Sequence, residues 1–186
     1  MTRLPRLVIL DRDGVINEDS DDYIKSAREW VPIPGSLEAI ARLNHAGIQV
    51  TVATNQSGIG RGLFSLEDLN QMHAKFHAAL ARVGGHIDGI FFCPHHPDAG
   101  CRCRKPAPGL LHAISLRLGI PLSEVPVIGD AKRDVDAALA ARAQPLLVRT
   151  GKGERTLSEH PELARLPCFA DLSAAVDYLL EGQGDA

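Results

Sequence analysis

Short, continuously apolar runs alternate along this chain with segments of helical period, and that alternation leaves few folds open. The runs fall at residues 7–10, 50–53, 90–92, 125–128 and 145–148, with a short sixth at 168–169. A strand with one wet face alternates polar and apolar side chains, whereas a strand covered on both faces is apolar throughout. Between the runs, residues 36–45 place Leu37, Ile40, Ala41 and Leu43 towards one side and stop at Gly47. Ser65-Leu66-Glu67-Asp68 has the form of a capping box, opening a helix that runs towards Val83 and ends at Gly84-Gly85. Further helical segments are expected at 110–118, 134–142 and 172–180. The pattern predicts a doubly wound α/β fold around a mainly parallel sheet. With 186 residues, no repeat and no linker-like stretch, the chain reads as a single domain over 1–186.

Ligands of open parallel sheets bind at the carboxyl ends of the strands, so the residues that follow each run carry the functional reading. Asp11-Arg12-Asp13-Gly14 follows the first run, with two carboxylates at i and i+2 on one side of an extended segment. Such a pair repels unless a cation or a shared proton relieves it; Asp and Gly are also ordinary turn residues. Thr54-Asn55-Gln56-Ser57-Gly58 and Gly60-Arg61-Gly62 follow the second run, offering a hydroxyl, amides, freed backbone N–H groups and a guanidinium that suit a phosphate oxygen. Gly129-Asp130 follows the fourth run and leads into Lys132-Arg133-Asp134. Asp130 can meet Asp11 and Asp13 across adjacent strand ends and complete an oxygen cage for Mg²⁺, or serve as a helix cap. Lys105, in Cys103-Arg104-Lys105-Pro106, stands just before a helix.

Three of the four cysteines (Cys93, Cys101, Cys103) crowd around His95 and His96. Without a secretory signal, clustered thiols beside imidazoles point to metal rather than disulfides. Three thiolates and one imidazole make a closed tetrahedral zinc site of the structural kind. Spacing does not separate His95 from His96 as the fourth ligand. Cys168 stands apart and reads as an inert, buried residue. The formal charge of −3 gives no basic field for a nucleic-acid backbone, and no apolar run approaches a membrane span. The expectation is a monomeric cytoplasmic protein with neither nucleic acid nor membrane as partner.

Taken in order, these motifs resemble those of the haloacid dehalogenase-like phosphohydrolases. Asp11-Arg12-Asp13-Gly14 is similar to the family's signature, Thr54 to its second motif, Lys105 to its third, and Gly129-Asp130 with Asp134 to its acidic fourth. The resemblance implies the family's Rossmann-like fold, here without a separate cap domain and with a zinc-stapled loop. Short loops at 17–32, 59–63 and around the cysteines would form any lid. It implies Asp11 as nucleophile and Asp13 as acid/base, with Thr54 and Lys105 holding the phosphoryl oxygens. Mg²⁺ would be bound by Asp11, the backbone carbonyl of Asp13, and Asp130. Because Asp13 must first donate a proton, its pKa is expected to be raised by its neighbours.

The cysteine-rich loop and the loop after the second strand resemble a branch of the family that acts on a phosphorylated sugar. That resemblance selects Cys93, His95, Cys101 and Cys103 as zinc ligands. It also implies substrate contacts from Asp19, Asp22, Thr54, Asn55, Gln56, Ser57, Arg104 and Lys105, with Asp21 beside them. Ala131 follows Asp130 where relatives can carry a lysine, and the sequence leaves open whether Lys132 replaces it. The rival within the family is a histidinol-phosphate phosphatase. A rival of another class is a catalytically inactive module whose zinc loop docks a partner.

Overall fold

The computed structural model describes residues 4–181. Six strands form one parallel sheet in the order β3-β2-β1-β4-β5-β6. They are β1 (Leu7–Leu10), β2 (Gln49–Asn55), β3 (Gly89–Cys93), β4 (Pro126–Gly129), β5 (Gln144–Val148) and β6 (Cys168–Phe169). The helices are α1 (Ser36–His45), α2 (Ser57–Gly60), α3 (Leu66–Arg82), α4 (Gly109–Leu118), α5 (Lys132–Ala140), α6 (Gly153–Glu159) and α7 (Leu172–Glu181). The expected doubly wound α/β fold is the observed one.

The central strand β1 shows why its run had to be apolar throughout. Successive side chains of a strand point to opposite faces. Val8 and Leu10 pack with Leu37, Ile40, Leu69, Met72 and Phe76 from α1 and α3, while Leu7 and Ile9 pack with Leu110, Leu111, Ile114 and Ala137 from α4 and α5. All four β1 side chains are fully buried, each contributing about 1.5–3 kcal/mol by leaving water. Truncating Ile9 to alanine would cost roughly 2–5 kcal/mol. The capping box of α3 forms as its sequence predicts: Ser65 Oγ accepts from the Asp68 N–H, and the Asp68 carboxylate accepts from the Ser65 N–H at 2.7 Å.

Three elements differ from expectation. Residues 57–60, read as loop, make the short helix α2, with the Gly60 N–H donating to the Pro94 carbonyl at 2.9 Å. Helix α5 begins at Lys132 rather than 134, because the Asp134 carboxylate accepts from the Ala131 N–H at 3.0 Å and caps the helix from within its own first turn. Helix α6 was not expected; its sequence is too polar to carry a helical period, and its anchor is tertiary, Thr156 Oγ1 donating to the Asp130 carbonyl at 2.9 Å.

The strand order fixes where a ligand can bind. From β1 the chain crosses to β2 on one side, and β4 pairs with β1 on the other, so a crevice opens between the ends of β1 and β4. Asp11 follows β1 there, its N–H donating to the Ile128 carbonyl of β4 at 2.9 Å.

Candidate active site

Asp11 is 4% exposed at the end of β1. Its Oδ1 accepts from the Arg12 N–H at 2.8 Å and lies 3.0 Å from Lys105 Nζ. Burial disfavours its charged form; Lys105 works against that shift and Asp134 adds to it, leaving the Asp11 pKa raised to about 6. At neutral pH the group is an ionised carboxylate, more basic than a free one.

Asp13 has the opposite electrostatics, and the expectation of a raised pKa is corrected here. Burial pushes its carboxyl upwards, but the Arg12 guanidinium outweighs it together with hydrogen bonds from Asn17, Arg12 and Gln56, so the pKa falls below the ordinary aspartate value. Arg12 Nε and Nη2 donate to Asp13 Oδ1 at 3.0 and 2.8 Å, Asn17 Nδ2 donates to it at 2.9 Å, and Gln56 Nε2 donates to Oδ2 at 3.0 Å. Sequence reasoning saw only the repulsion between two nearby aspartates. It missed Arg12, whose side chain folds back into the protein and is 1% exposed.

Thr54 is the penultimate residue of β2 and is buried. Its hydroxyl accepts from Gln56 Nε2 at 2.9 Å, so one amide ties Thr54 to Asp13. Asn55 clamps the main chain of Lys105 from both sides: its Nδ2 donates to the Lys105 carbonyl and its Oδ1 accepts from the Lys105 N–H, each at 3.0 Å. Lys105, 3% exposed, thus reaches inward from a chain fixed to the end of β2. Its Nζ meets Asp134 Oδ1 at 2.7 Å and donates to the Ala53 carbonyl at 2.7 Å. Burial disfavours the ammonium, but Asp11 and Asp134 more than offset it and raise its pKa; Asp134, beside Lys105 and Arg133, stays low despite its own burial.

Asp11, Asp130 and Asp134 bring carboxylate oxygens within 4.8 Å of one another, all buried. Asp130 Oδ2 accepts from the Lys152 N–H at 2.7 Å, while Oδ1 is buried with no hydrogen-bond partner among the described residues. Burial, with Asp11 and Asp134 nearby, raises the Asp130 pKa to about 8. A buried carboxylate oxygen without a donor, facing two further carboxylates, suits a divalent cation with oxygen ligands. The Asp13 carboxylate stands outside this trio, and Asp134, named in the sequence motif but given no ligand role, stands inside it. Two glycines make room for Asp130: a Cβ at Gly14 (φ 84°) would lie 2.1 Å from Oδ2, and one at Gly151 (φ 57°) 2.3 Å from it.

A cleft of about 170 Å³ opens over this cluster. Asp11, Asp13, Asp19, Thr54, Asn55, Gln56, Ser57 and Arg104 line it, as do Asp21, Arg133 and Lys152. Asp22 is not among the lining residues; Asp21, equally exposed, lines the cleft instead. Lys152 Nζ pairs with Asp19 at 3.1 Å and Asp21 at 3.5 Å. Lys152 and Arg133 escaped the sequence reading. The only signal for Arg133 was its place just after the fourth strand, and Lys152 is brought in by the unexpected turn before α6.

Beside the cleft, Cys93, His95, Cys101 and Cys103 converge. His95 Nδ1 lies 3.5 Å from Cys93 Sγ and 3.2 Å from Cys103 Sγ, and Cys93 Sγ lies 3.6 Å from Cys101 Sγ and 3.3 Å from Cys103 Sγ. His96 turns away, its Nδ1 accepting from the Asp98 N–H at 3.3 Å. Burial drives the Cys93 thiol up to about 12. At Cys101 the burial effect is outweighed by hydrogen bonds with the Arg104 N–H, Cys103, Cys93 and His95, lowering its pKa to about 6.

Fold and site together define the class: a phosphatase among the haloacid dehalogenase-like hydrolases, whose HAD-hydrolase-like family model matches residues 102–175. The comparisons narrow this further. The chain is 56% identical to a D-glycero-beta-D-manno-heptose-1,7-bisphosphate 7-phosphatase of Pseudomonas putida, over 94% of this chain and 99% of that one. It is 52% identical to the enzyme of the same name from Bordetella bronchiseptica, over 95% and 98%. A crystal structure of the B. bronchiseptica D,D-heptose 1,7-bisphosphate phosphatase, complexed with magnesium and phosphate, superposes with a TM-score of 0.92 at 50% identity, covering 95% of this chain and 98% of that one. The chain belongs to the D-glycero-beta-D-manno-heptose-1,7-bisphosphate 7-phosphatase family.

Proposed function

We propose that this phosphatase removes the 7-phosphate of D-glycero-D-manno-heptose 1,7-bisphosphate through an aspartyl-phosphate, leaving heptose 1-phosphate. The observation that carries the mechanism is the convergence of Asp11, Asp13 and Thr54 at one cleft, with Lys105 beneath it 3.0 Å from Asp11; the substrate follows from relatives more than 50% identical over nearly the whole chain.

Asp11 attacks phosphorus, forming an O–P bond as the bond to the sugar oxygen breaks. A carboxylate nucleophile divides a slow hydrolysis into two easier steps. Asp13 gives its proton to the leaving sugar oxygen, then takes one from the water that hydrolyses the acyl phosphate. Arg12, Asn17 and Gln56 hold Asp13 ionised before substrate arrives, so the proton has to be acquired as the phosphate's negative charge enters beside it. Thr54 and Lys105 orient the phosphoryl oxygens, and Lys105 also keeps Asp11 ionised inside the protein. Asn55 and Gln56 act largely by holding Lys105, Thr54 and Asp13 in place, while Ser57, Arg104 and Asp19 face the substrate. Asp11, Asp130 and the main chain at Asp13 would hold Mg²⁺, with Asp134 at hand. When bound, the ion neutralises charge between Asp11 and the phosphoryl oxygens and stabilises the transition state.

The Cys93, His95, Cys101 and Cys103 set is read as a structural zinc site. Its donor separations of 3.2–3.6 Å are close to the edges of a tetrahedron with metal–ligand bonds of roughly 2.0–2.3 Å. A metal there would fix the chain that carries Arg104 and Lys105. We read residues 1–186 as one domain.

The test is phosphate release with Mg²⁺ from heptose 1,7-bisphosphate, set against histidinol phosphate and a 3′-phosphorylated oligonucleotide. The expected result is a kcat/KM for the heptose substrate at least tenfold above either competitor. A preference for histidinol phosphate would overturn the substrate, and full activity in Asp11→Asn would overturn the mechanism.

A further inference from the structure

Ala131 leaves the position after Asp130 without a charge, and the structure decides which neighbour supplies one. Lys132 does not: its Nζ donates to both oxygens of Asp136 one turn along α5, at 2.8 and 2.6 Å, and it is absent from the cleft lining. Arg133 lines the cleft, and its Nε is buried with no acceptor among the described residues. Arg104 also lines the cleft, and its Nη1 is likewise buried without an acceptor.

The other cations around the cleft are paired. Arg12 pairs with Asp13, Lys105 with Asp11 and Asp134, and Lys152 with Asp19 and Asp21. Neither Arg133 nor Arg104 forms an ion pair among the described residues. A buried N–H without an acceptor is costly; both arginines are half-buried and the Arg133 charge faces Asp134, Asp11, Asp130 and Asp19, so what these N–H groups lack is a bonded acceptor. The missing acceptor is one that arrives with ligand. It must be anionic and rich in oxygen, and two guanidinium groups lining one cleft favour a group that accepts forked hydrogen bonds. Among sugar-phosphate atoms only a phosphate meets those conditions.

We infer that Arg133 is a substrate-binding residue that, with Arg104, donates hydrogen bonds to a phosphate of the bound sugar bisphosphate. The inference rests on the phosphatase reading given above. The substrate brings two phosphates, the one transferred to Asp11 and the one retained, and the same chemistry serves either.

The experiment compares wild type, Arg133→Gln, Arg133→Lys and Lys132→Ala on heptose 1,7-bisphosphate and on heptose 7-phosphate, with inorganic phosphate as inhibitor. Wild type must first hydrolyse the bisphosphate; if it does not, the parent reading fails before the inference is reached. Arg133→Gln is expected to lose about 10- to 100-fold in kcat/KM on the bisphosphate, the scale of one charged hydrogen-bonding group. Lys132→Ala is expected to match wild type. Equal losses on both substrates, with weakened inhibition by inorganic phosphate, assign Arg133 to the transferred group. A loss confined to the bisphosphate assigns it to the retained one. Arg133→Lys keeps the charge without the fork and is expected to fall between wild type and Arg133→Gln. It carries the test if Arg133→Gln does not fold, since a purely structural role would leave KM and phosphate inhibition unmoved. Values within twofold of wild type on both substrates, in folded protein, overturn the inference.

Discussion

Lys105 Nζ stands 3.0 Å from Asp11 Oδ1 in a place where both side chains are almost fully buried, 2% and 4% exposed. The same ammonium meets Asp134 at 2.7 Å. One cation therefore compensates two buried anions. Removing one partner of a buried pair costs about 3–5 kcal/mol, because the other is left uncompensated. Lys105→Met is expected to lose stability on that scale along with its activity. Asp11→Asn is expected to lose activity by at least about 10³-fold, yet to melt no lower than wild type, since a neutral amide relieves the burial penalty and Asp134 still pairs with Lys105. Thermal melts beside turnover separate the two; equal destabilisation would refute the asymmetry.

A metal ion bound by the carboxylate trio would compete there with protons. Asp11 and Asp130 have folded-state pKa values raised to about 6 and about 8. For a carboxyl group raised on folding, the folded state binds more protons than the unfolded one, so stability is lost as pH rises through the folded pKa. His73 acts in the opposite sense, but only below its ordinary range, because burial, Arg12 and His77 lower it to about 4; Cys101, lowered to about 6, also acts in the opposite sense and does so between pH 6 and 9. Between pH 6.5 and 8 the Asp130 contribution in the metal-free protein is therefore expected to fall progressively, read as wild type losing melting temperature relative to Asp130→Asn, a comparison in which the Cys101 contribution cancels. Saturating Mg²⁺ is expected to raise the melting temperature, and by more at pH 8 than at pH 6.5. Melting curves with EDTA and with Mg²⁺ across that range check it, and Asp130→Asn is expected to flatten the difference.

Gly14 is required twice over, by its φ of 84° and by Asp130 Oδ2 at the place its Cβ would occupy. Gly14→Ala is expected to cost at least about 2 kcal/mol, combining left-handed strain with the displaced carboxylate. Its Mg²⁺ requirement should rise in parallel. Titrating activity against Mg²⁺ reads the second effect independently of the first, and an unchanged midpoint would argue that Asp130 is not a ligand.

Gln56 connects Asp13, Thr54 and Arg12 through one amide. Gln56→Ala is expected to lower kcat by about 10- to 100-fold, at or below the lower end of the roughly 10²- to 10⁴-fold that acid–base assistance supplies, because Asp13 itself is retained. Losing a donor to the ionised form raises the Asp13 pKa, and because Asp13 must be protonated in the step that kcat/KM reports, the alkaline limb of that profile should move to higher pH. A profile that falls in height without moving would mean that Gln56 does not tune Asp13.

Zinc is expected at about one ion per chain by metal analysis of protein prepared without chelator. Cys101→Ser is expected to lower both zinc content and melting temperature, because a set of donors that converges only in the folded chain turns metal-binding free energy into folding free energy. Activity should fall too, since the same loop presents Arg104 and Lys105. Metal-free protein with undiminished stability would remove the staple.

The sequence by itself determined the fold class, because a strand buried on both faces has no room for polar residues: Leu7–Leu10 had to be apolar at every position, and each such run marked a strand. It also placed Asp11, Thr54 and Asp130 at strand ends, and grouped the four metal-loop residues within one short stretch. Tertiary structure alone decided what those groups feel. Asp11 and Asp13 are two residues apart, yet one is raised by burial and the other lowered by Arg12, Asn17 and Gln56. The separation of Arg133 from Lys132 is likewise conformational: adjacent residues on a helix point in different directions, so one pairs with Asp136 and the other faces the cleft. Lys152 reaches the site only because the turn before α6 carries its N–H to Asp130. Local patterns record burial and period; a pKa or an unpaired donor depends on distances between residues remote in sequence, which exist only once the chain has closed.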